Sequence, residues 1–418
     1  MCDLHSKMTN KHTQMKKFNS FFFAVALVSS SLLFNACGDD EPTGNGGGTT
    51  TSNEVIVSEN IKTNTTWTKD KTWILGGRIA VEAGATLTIE AGTIIKGQAG
   101  TGANATALII ARGAKIDAQG TASAPIIFTS VADEIKTGQI ESPNLPNDFN
   151  GLWGGLIVLG KAPCSLKADV PETNIEGVPV TDPNGLYGGN DAADNSGVIK
   201  YVSIRHGGAN IGEGNEINGL TLGGVGNGTV IENIEVVANQ DDGIEWFGGS
   251  VNVTNAIVWN AGDDALDTDQ AWSGTLDNFV VICGSETDHA LEIDGPEGSA
   301  NAGHNLMNGW VKGSDQAELG NWRSNAQGKF EKIYFFNFDA GMADGRGDFD
   351  LDDASAPNFP SILMFDNLEI TTDSSSLSKI FKDGTDVHAT KVTAATNAGA
   401  QTAPFAGWSW AAKVEAYK

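Results

Sequence analysis

Basic residues are scarce in this chain: 26 Lys and Arg stand against 52 Asp and Glu over 418 residues, a formal charge of −26. Nucleic acid and anionic lipid headgroups are poor partners for such a surface, whereas cations, basic proteins and neutral glycans stay open. Cysteine is nearly absent, with four in all and no CxxC pair, which leaves a structural zinc unsupported. There is no G-x-S-x-G and no P-loop, so neither serine-nucleophile catalysis nor nucleotide use has a motif behind it. Long amphipathic helices are missing too. The apolar run from Phe21 to Phe34 is too short and too Ser-interrupted for a transmembrane helix.

What is present is glycine, 52 residues of it, between short β-branched runs. "GRIAVEAGATLTIEAGTIIKG", "ALIIARGAKIDAQG", "PIIFTS", "GLIVLG" and "IKYVSIRHGG" are each too short to be a core alone, so neighbours must stack to bury them. Four segments overlay in the middle: "NGLTLGG" from Asn218, "DGIEWFGG" from Asp242, "DALDTDQ" from Asp264 and "HALEIDG" from His289, at steps of 24, 22 and 25 residues. "ENIEVVANQ", "TNAIVWNAG" and "DNFVVICGS" precede the last three, so each unit holds at least two short strands closed by turns. A propeller blade needs about 40 residues or more. The period therefore predicts an all-β fold, a parallel β-helix whose coils pair at roughly 4.8 Å, with Leu220, Ile244, Leu266 and Leu291 stacked inward.

The N-terminal region reads as an export signal over residues 1–36, with Met15 as its working start: Lys16 and Lys17, an apolar stretch, then Ala36 before a cysteine. The junction resembles a lipobox, which implies lipidation of Cys37; plain secretion with a free Cys37 is the alternative. Residues 37–53 form an acidic, then Gly/Thr-rich tether. Its acidic start resembles the surface-export signals of Bacteroidetes-type lipoproteins and implies a lipid anchor on the outer face of an outer membrane, a periplasm-facing anchor being the alternative. Beyond Cys37 the chain carries 22 basic and 51 acidic residues. Cys164 and Cys283 are open to pairing or to burial as free thiols.

Runs such as "GLWGGLIVLGKAP", "NEINGLTLGGVGNGT", "DDGIEWFGGSVNV", "DDALDTDQAWSG" and "FAGWSWAA" resemble a family of exported Bacteroidetes lipoproteins with the pectin-lyase-like right-handed β-helix fold. The likeness spans most of a single domain, residues 54–418. It implies a fold and an address rather than an activity.

In this register Glu245, Asp267 and Glu292 share one position on three coils, opposite the leucine ladder and so outward, and Asp269 and Asp294 form a second column. Like charges stacked at that spacing repel by about 0.9 kcal/mol per pair in water and by several times more at lower dielectric. These five carboxylates offer the oxygens that Ca²⁺ takes. The preceding corner collects Asp242, Asp263, Asp264 and Asp288. There "NQDDGI", "GDDALD" and "DHAL" resemble the "NTDGI", "GDDCI" and "GHGI" motifs of polygalacturonases. The resemblance implies an inverting hydrolase in which Asp242 and Asp263 hold the water, Asp264 is the acid and His289 tunes it, with Trp246 or Trp272 as a stacking face for a sugar. A family Arg-Ile-Lys motif has no counterpart, Arg323 being the nearest cation. The third reading is a solvated acidic edge that keeps strands from mispairing.

Lesser signals fill in the rest. Asp348, Asp350 and Asp352 alternate as in a calcium loop but lack the EF-hand Gly and Glu, and Arg346-Gly347-Asp348 spells an adhesion tripeptide. His206 and His304 read as turn residues. Trp67 and Trp73 are expected to cap one end and residues 400–418, with Trp408 and Trp410, the other. Residues 132–196 read as long loops rimming a groove. The expected role is cation-supported binding of a glycan or another surface partner by an acidic groove, with a polysaccharide hydrolase or lyase, or a purely structural or adhesive protein, as alternatives.

Overall fold

Residues 53–210, 217–338 and 347–418 are described by the computed structural model of the protein. The export signal, Cys37, the tether up to residue 52 and Arg346 of the tripeptide lie outside them.

The chain is a parallel β-helix. Each middle coil gives a four-residue strand to a nine-stranded sheet and a strand of eight to ten residues to a sixteen-stranded sheet. In the short sheet Leu220 pairs with Ile244, Ile244 with Leu266 and Leu266 with Leu291, as the overlay requires. All four are fully buried. Two residues along, Leu222, Trp246, Thr268, Ile293 and Trp322 form a second inward ladder, because side chains two apart on a strand share a face.

Overlaid segments did not reveal how the long strands bend. Asn233, Asn255, Asn278 and Asn308 sit mid-strand on successive coils with φ near +60°. Asn tolerates the left-handed region better than other side-chain-bearing residues. The amides also bond along the stack: Asn255 Nδ2 donates to Asn233 Oδ1 at 3.0 Å and Asn278 Nδ2 to Asn255 Oδ1 at 2.6 Å. One residue type thus turns the corner and ties coil to coil.

The ends are closed differently from expectation. Trp67 is buried against Trp73 in the first coils, ring centroids 5.3 Å apart. At the far end residues 377–388 cover the stack, with Ile380 and Phe381 in the core and Phe349 N–H donating to Ile380 O at 2.7 Å. The segment 403–418 is not an end cap: it lies along the outward face of the long sheet, packing Phe405, Trp408, Trp410 and Tyr417 on Val237, Ile257, Val280 and Ile282. Ala411 N–H donates to buried Glu235 at 2.9 Å, and the Arg205 guanidinium sits 5.1 Å from the Trp410 ring.

Residues 132–196 are two excursions rather than one, separated by the coil strand Leu156–Leu159. The second packs Leu166, Ile175, Val178 and Tyr187 over Ile109, Ile157, Leu159 and Phe247 on the outward face of the short sheet. Cys164 and Cys283 are free thiols, and burial pushes that of Cys164 up to about 12.

Leu266→Ala should lower the unfolding free energy by about 2–5 kcal/mol in urea titration, since the ladder cannot collapse around the void. Asn255→Val should cost more than Asn255→Gly, because glycine keeps the left-handed turn and loses only the amide bonds.

Candidate functional site

Short strands Ile244–Phe247, Leu266–Asp269 and Leu291–Asp294 hold the acidic columns in the expected register, Glu245 beside Asp267 and Asp267 beside Glu292. They face away from the leucine ladder, yet they are not solvated: Glu245, Asp267 and Glu292 are buried. The charge of Glu176 in the second excursion acts on Glu245. A merely wetted edge is therefore not what the column forms.

The column divides into two groups. At its lower end Arg323, one coil on, meets Glu292 at 2.6 Å through Nη2 and Asp294 at 2.7 Å through Nε. His289 stands beside it, with Nδ1 2.8 Å from Asp264 Oδ1 and 3.6 Å from Glu292 Oε1, and its backbone N–H also donates to Asp264 Oδ1 at 2.8 Å. At the upper end Asp242, Glu245 and Asp267 bring carboxylate oxygens within 4.8 Å of one another. Asn218 Nδ2 donates to Glu245 Oε2. Asp267 Oδ1 and the Oδ1 of that same Asn218 amide are buried with no hydrogen-bond partner among the described residues. Asn218 carried no signal in the sequence beyond opening its repeat.

The five-carboxylate calcium set therefore does not assemble as one site. Glu292 and Asp294 are both held by Arg323, Asp269 accepts from Gln270 N–H at 2.8 Å, and only Glu245 and Asp267 remain, joined by Asp242 from the hydrolase set. Of that set, Asp242 and Asp263 approach each other within the same limit, with Asp263 exposed, and Asp264 meets His289 as the resemblance implies. Trp246 and Trp272 cannot stack on a sugar: both are 0% exposed and stack on each other at 4.7 Å inside the coil. Trp246 follows the inward Ile244 by two residues, so strand alternation sends it inward as well.

The other signals are structural. Asp350 lies on the strand Phe349–Leu351, Asp348 pairs with Lys382 at 3.2 Å, and Asp352 accepts from Ser324, Ala354 and Ser355 N–H groups, so no calcium loop forms there. His206 bonds Phe149 O at 2.6 Å in a left-handed turn. His304 is a core residue stacked near Trp272, and burial holds its imidazole down at about 3.

A stack of parallel coils with outward-facing chemistry at one corner is the arrangement on which the comparisons bear. The family model described as a pectate-lyase-like beta helix domain matches residues 59–413. The chain belongs to this pectate-lyase-like β-helix family. No curated protein and no solved structure matches it. The family fixes the scaffold, and within it Glu245, Asp267 and Glu292 are buried.

Burial, followed by mutual repulsion, raises the Asp242, Glu245 and Asp267 carboxyls well above their ordinary range. Burial and Asp294 push Asp269 up to about 7, and burial with Asp264 beside it pushes Glu292 up to about 9. His289 reaches about 9: burial pulls it down, and Asp264 more than reverses this. Every one of these folded-state values lies above its unfolded value. The stability they contribute is thus fully present below the unfolded pKa, about 4 for the acids and about 6.5 for His289, and is lost as pH rises through the folded values. In EDTA the melting temperature should fall steadily from pH 5 to pH 9, with His289→Gln flattening the part above pH 6.5.

Proposed function

We propose that this β-helix protein is exported, anchored by lipid at Cys37 to the outer face of an outer membrane, and binds there without catalysis. It does so by holding Ca²⁺ in the carboxylate group of Asp242, Glu245 and Asp267 and presenting that face to a glycan or another surface partner. The observation that carries the reading is the pair of buried oxygens, Asp267 Oδ1 and Asn218 Oδ1, that no donor among the described residues satisfies. Buried acceptors in native proteins have partners, and a hard divalent cation takes carboxylate and amide oxygens. Three close carboxylates need a counter-charge or protons, and Arg323 and His289 are engaged with Glu292, Asp294 and Asp264.

The Asp264–His289 contact favours the hydrolase as a second reading. Its weakness is access: Asp264 is buried, and the group that should hand a proton to a leaving oxygen is already bonded by His289 twice. Cleavage of a polysaccharide that Asp264→Asn abolishes would establish it.

Calorimetry should show Ca²⁺ binding to the purified protein, weakened at least tenfold by Asp267→Asn. Saturation at 100 times the Kd should stabilise the fold by about 2.7 kcal/mol, and by more at pH 8 than at pH 6, since the cation needs ionised ligands. In EDTA, at a pH high enough to ionise the raised Asp267 carboxyl, Asp267→Asn should melt above the parent chain because it removes a repelling charge. Absence of Ca²⁺ heat, together with a melting temperature indifferent to EDTA, removes the reading.

A further inference from the structure

We propose that a cavity in the first coils binds a small monocarboxylate with an apolar body, of the size of a phenyl ring or a short alkyl chain. The site goes beyond the cation reading, stands or falls apart from it, and shares no residue with the buried carboxylate group. Its volume is about 230 Å³, and it opens where the strands Ile94–Gly97 and Ile126–Ser130 of the long sheet begin. Ile94 and Ile127 are register partners on these strands and both are buried. Their neighbours Ile95 and Phe128 belong to the core, so alternation turns Ile94 and Ile127 outward, where they line the cavity. Ala91, Ala124, Pro125 and Ile140 add apolar wall. An apolar cavity of about 150 Å³ takes up a benzene, so this one has room for a ring with a short side arm and none for a polymer.

A second wall, residues 136–140, belongs to the first excursion and is held in place by the buried carboxylate of Asp133. Thr129 Oγ1 and Ser142 Oγ donate to it at 2.9 and 2.8 Å, and Ile135 N–H donates at 3.0 Å. Ile135 also packs on Ile94 and Ile127. Lys136 N–H donates to Gln139 Oε1 at 2.8 Å and Gln139 N–H to Lys136 O at 3.0 Å, which closes the turn. A wall fixed in this way costs a ligand little ordering, and concave, mostly apolar sites with a few polar groups are the usual form of small-molecule pockets.

Charge selects the ligand. The chain has twice as many acidic as basic residues, yet the charged residues lining this cavity are both lysines, Lys69 and Lys136. Neither ammonium has an ion-pair or hydrogen-bond partner among the described residues. The cavities further along the long sheet are lined instead by Asp148, Glu286, Asp315 and Asp373. A lysine lays its apolar stem along such a wall and keeps its ammonium in water, which suits a ligand with an apolar body and one negative charge at its rim. Hydrogen bonds from an ammonium to a carboxylate are charge-assisted and strong for their kind. No arginine is among the lining residues, so the forked donors that favour a phosphate are missing.

The test is calorimetry of the purified protein in EDTA with 3-phenylpropionate and octanoate, and with 3-phenylpropanol, 3-phenylpropylamine and acetate as comparisons. At least one of the two apolar carboxylates should bind with a sub-millimolar Kd, at least fivefold more tightly than the alcohol and at least tenfold more tightly than the amine or acetate. Replacing both lysines, Lys69→Gln with Lys136→Gln, should erase the preference for the carboxylate over the alcohol. The blocking substitution Thr137→Trp should weaken all binding at least tenfold. Lys69, Lys136 and Thr137 are exposed lining residues, so none of these changes removes a packed side chain, and circular dichroism checks that each variant is folded. Failure of both carboxylates to bind folded protein overturns the proposal, as does equal binding of the alcohol. Binding that survives Thr137→Trp, or a carboxylate preference that survives loss of both lysines, overturns it as well.

Discussion

Parallel strands stacked at one fixed spacing, with side chains alternating in and out, are the constraint from which the rest follows. Any residue type repeated at one position of this solenoid is pressed against its own kind one coil away. For Leu, Ile and Val on the inward face this produces the core. For Asn at the bend it produces a ladder of amide bonds. For Asp and Glu it produces repulsion that something else must relieve, and the column of Glu245, Asp267 and Glu292 meets that demand differently along its length: an amide at one end, a guanidinium and an imidazolium at the other, and in the middle an Asp267 Oδ1 with no hydrogen-bond partner among the described residues.

That middle was only half legible in the sequence. The repeat overlay gives the register correctly because turns and apolar positions recur within a few residues of one another, and coil pairing obeys that local pattern. Burial is a different matter. What covers Glu245 comes from about 70 residues earlier in the chain, in an excursion whose Leu166, Ile175 and Val178 are too dispersed to announce a packing face. Asn218, whose amide completes the acidic group, looks in isolation like any turn residue. The Asn bend was visible in principle, since Asn233, Asn255 and Asn278 recur at nearly the repeat step, but strands are not where left-handed residues are sought.

Trp246 shows a different kind of miss. Its neighbour Ile244 was assigned inward, and alternation alone then requires the indole to be inward too. Reading the ring for its chemistry instead of its parity put it on the wrong side of the sheet. Aromatic surface that does face outward lies on the long sheet, at Trp310, Tyr334 and Phe336, around the corner from the carboxylates. The acidic and aromatic chemistries therefore occupy different walls of one prism, joined at the corner of Asp263, Asp264 and Asp288.

The segment 403–418 gives this prism a property that stacked repeats lack by themselves. A solenoid whose coils touch only their neighbours can fray one coil at a time, so its cooperativity fades with length. Here a single chain segment, held to Glu235 across 176 residues and to Lys312 across more than 100, crosses several coils at once like a splint. Loss of one coil beneath it strains its anchorage on the others, and a one-dimensional array that would unzip gradually is converted into a body that gives way as a unit.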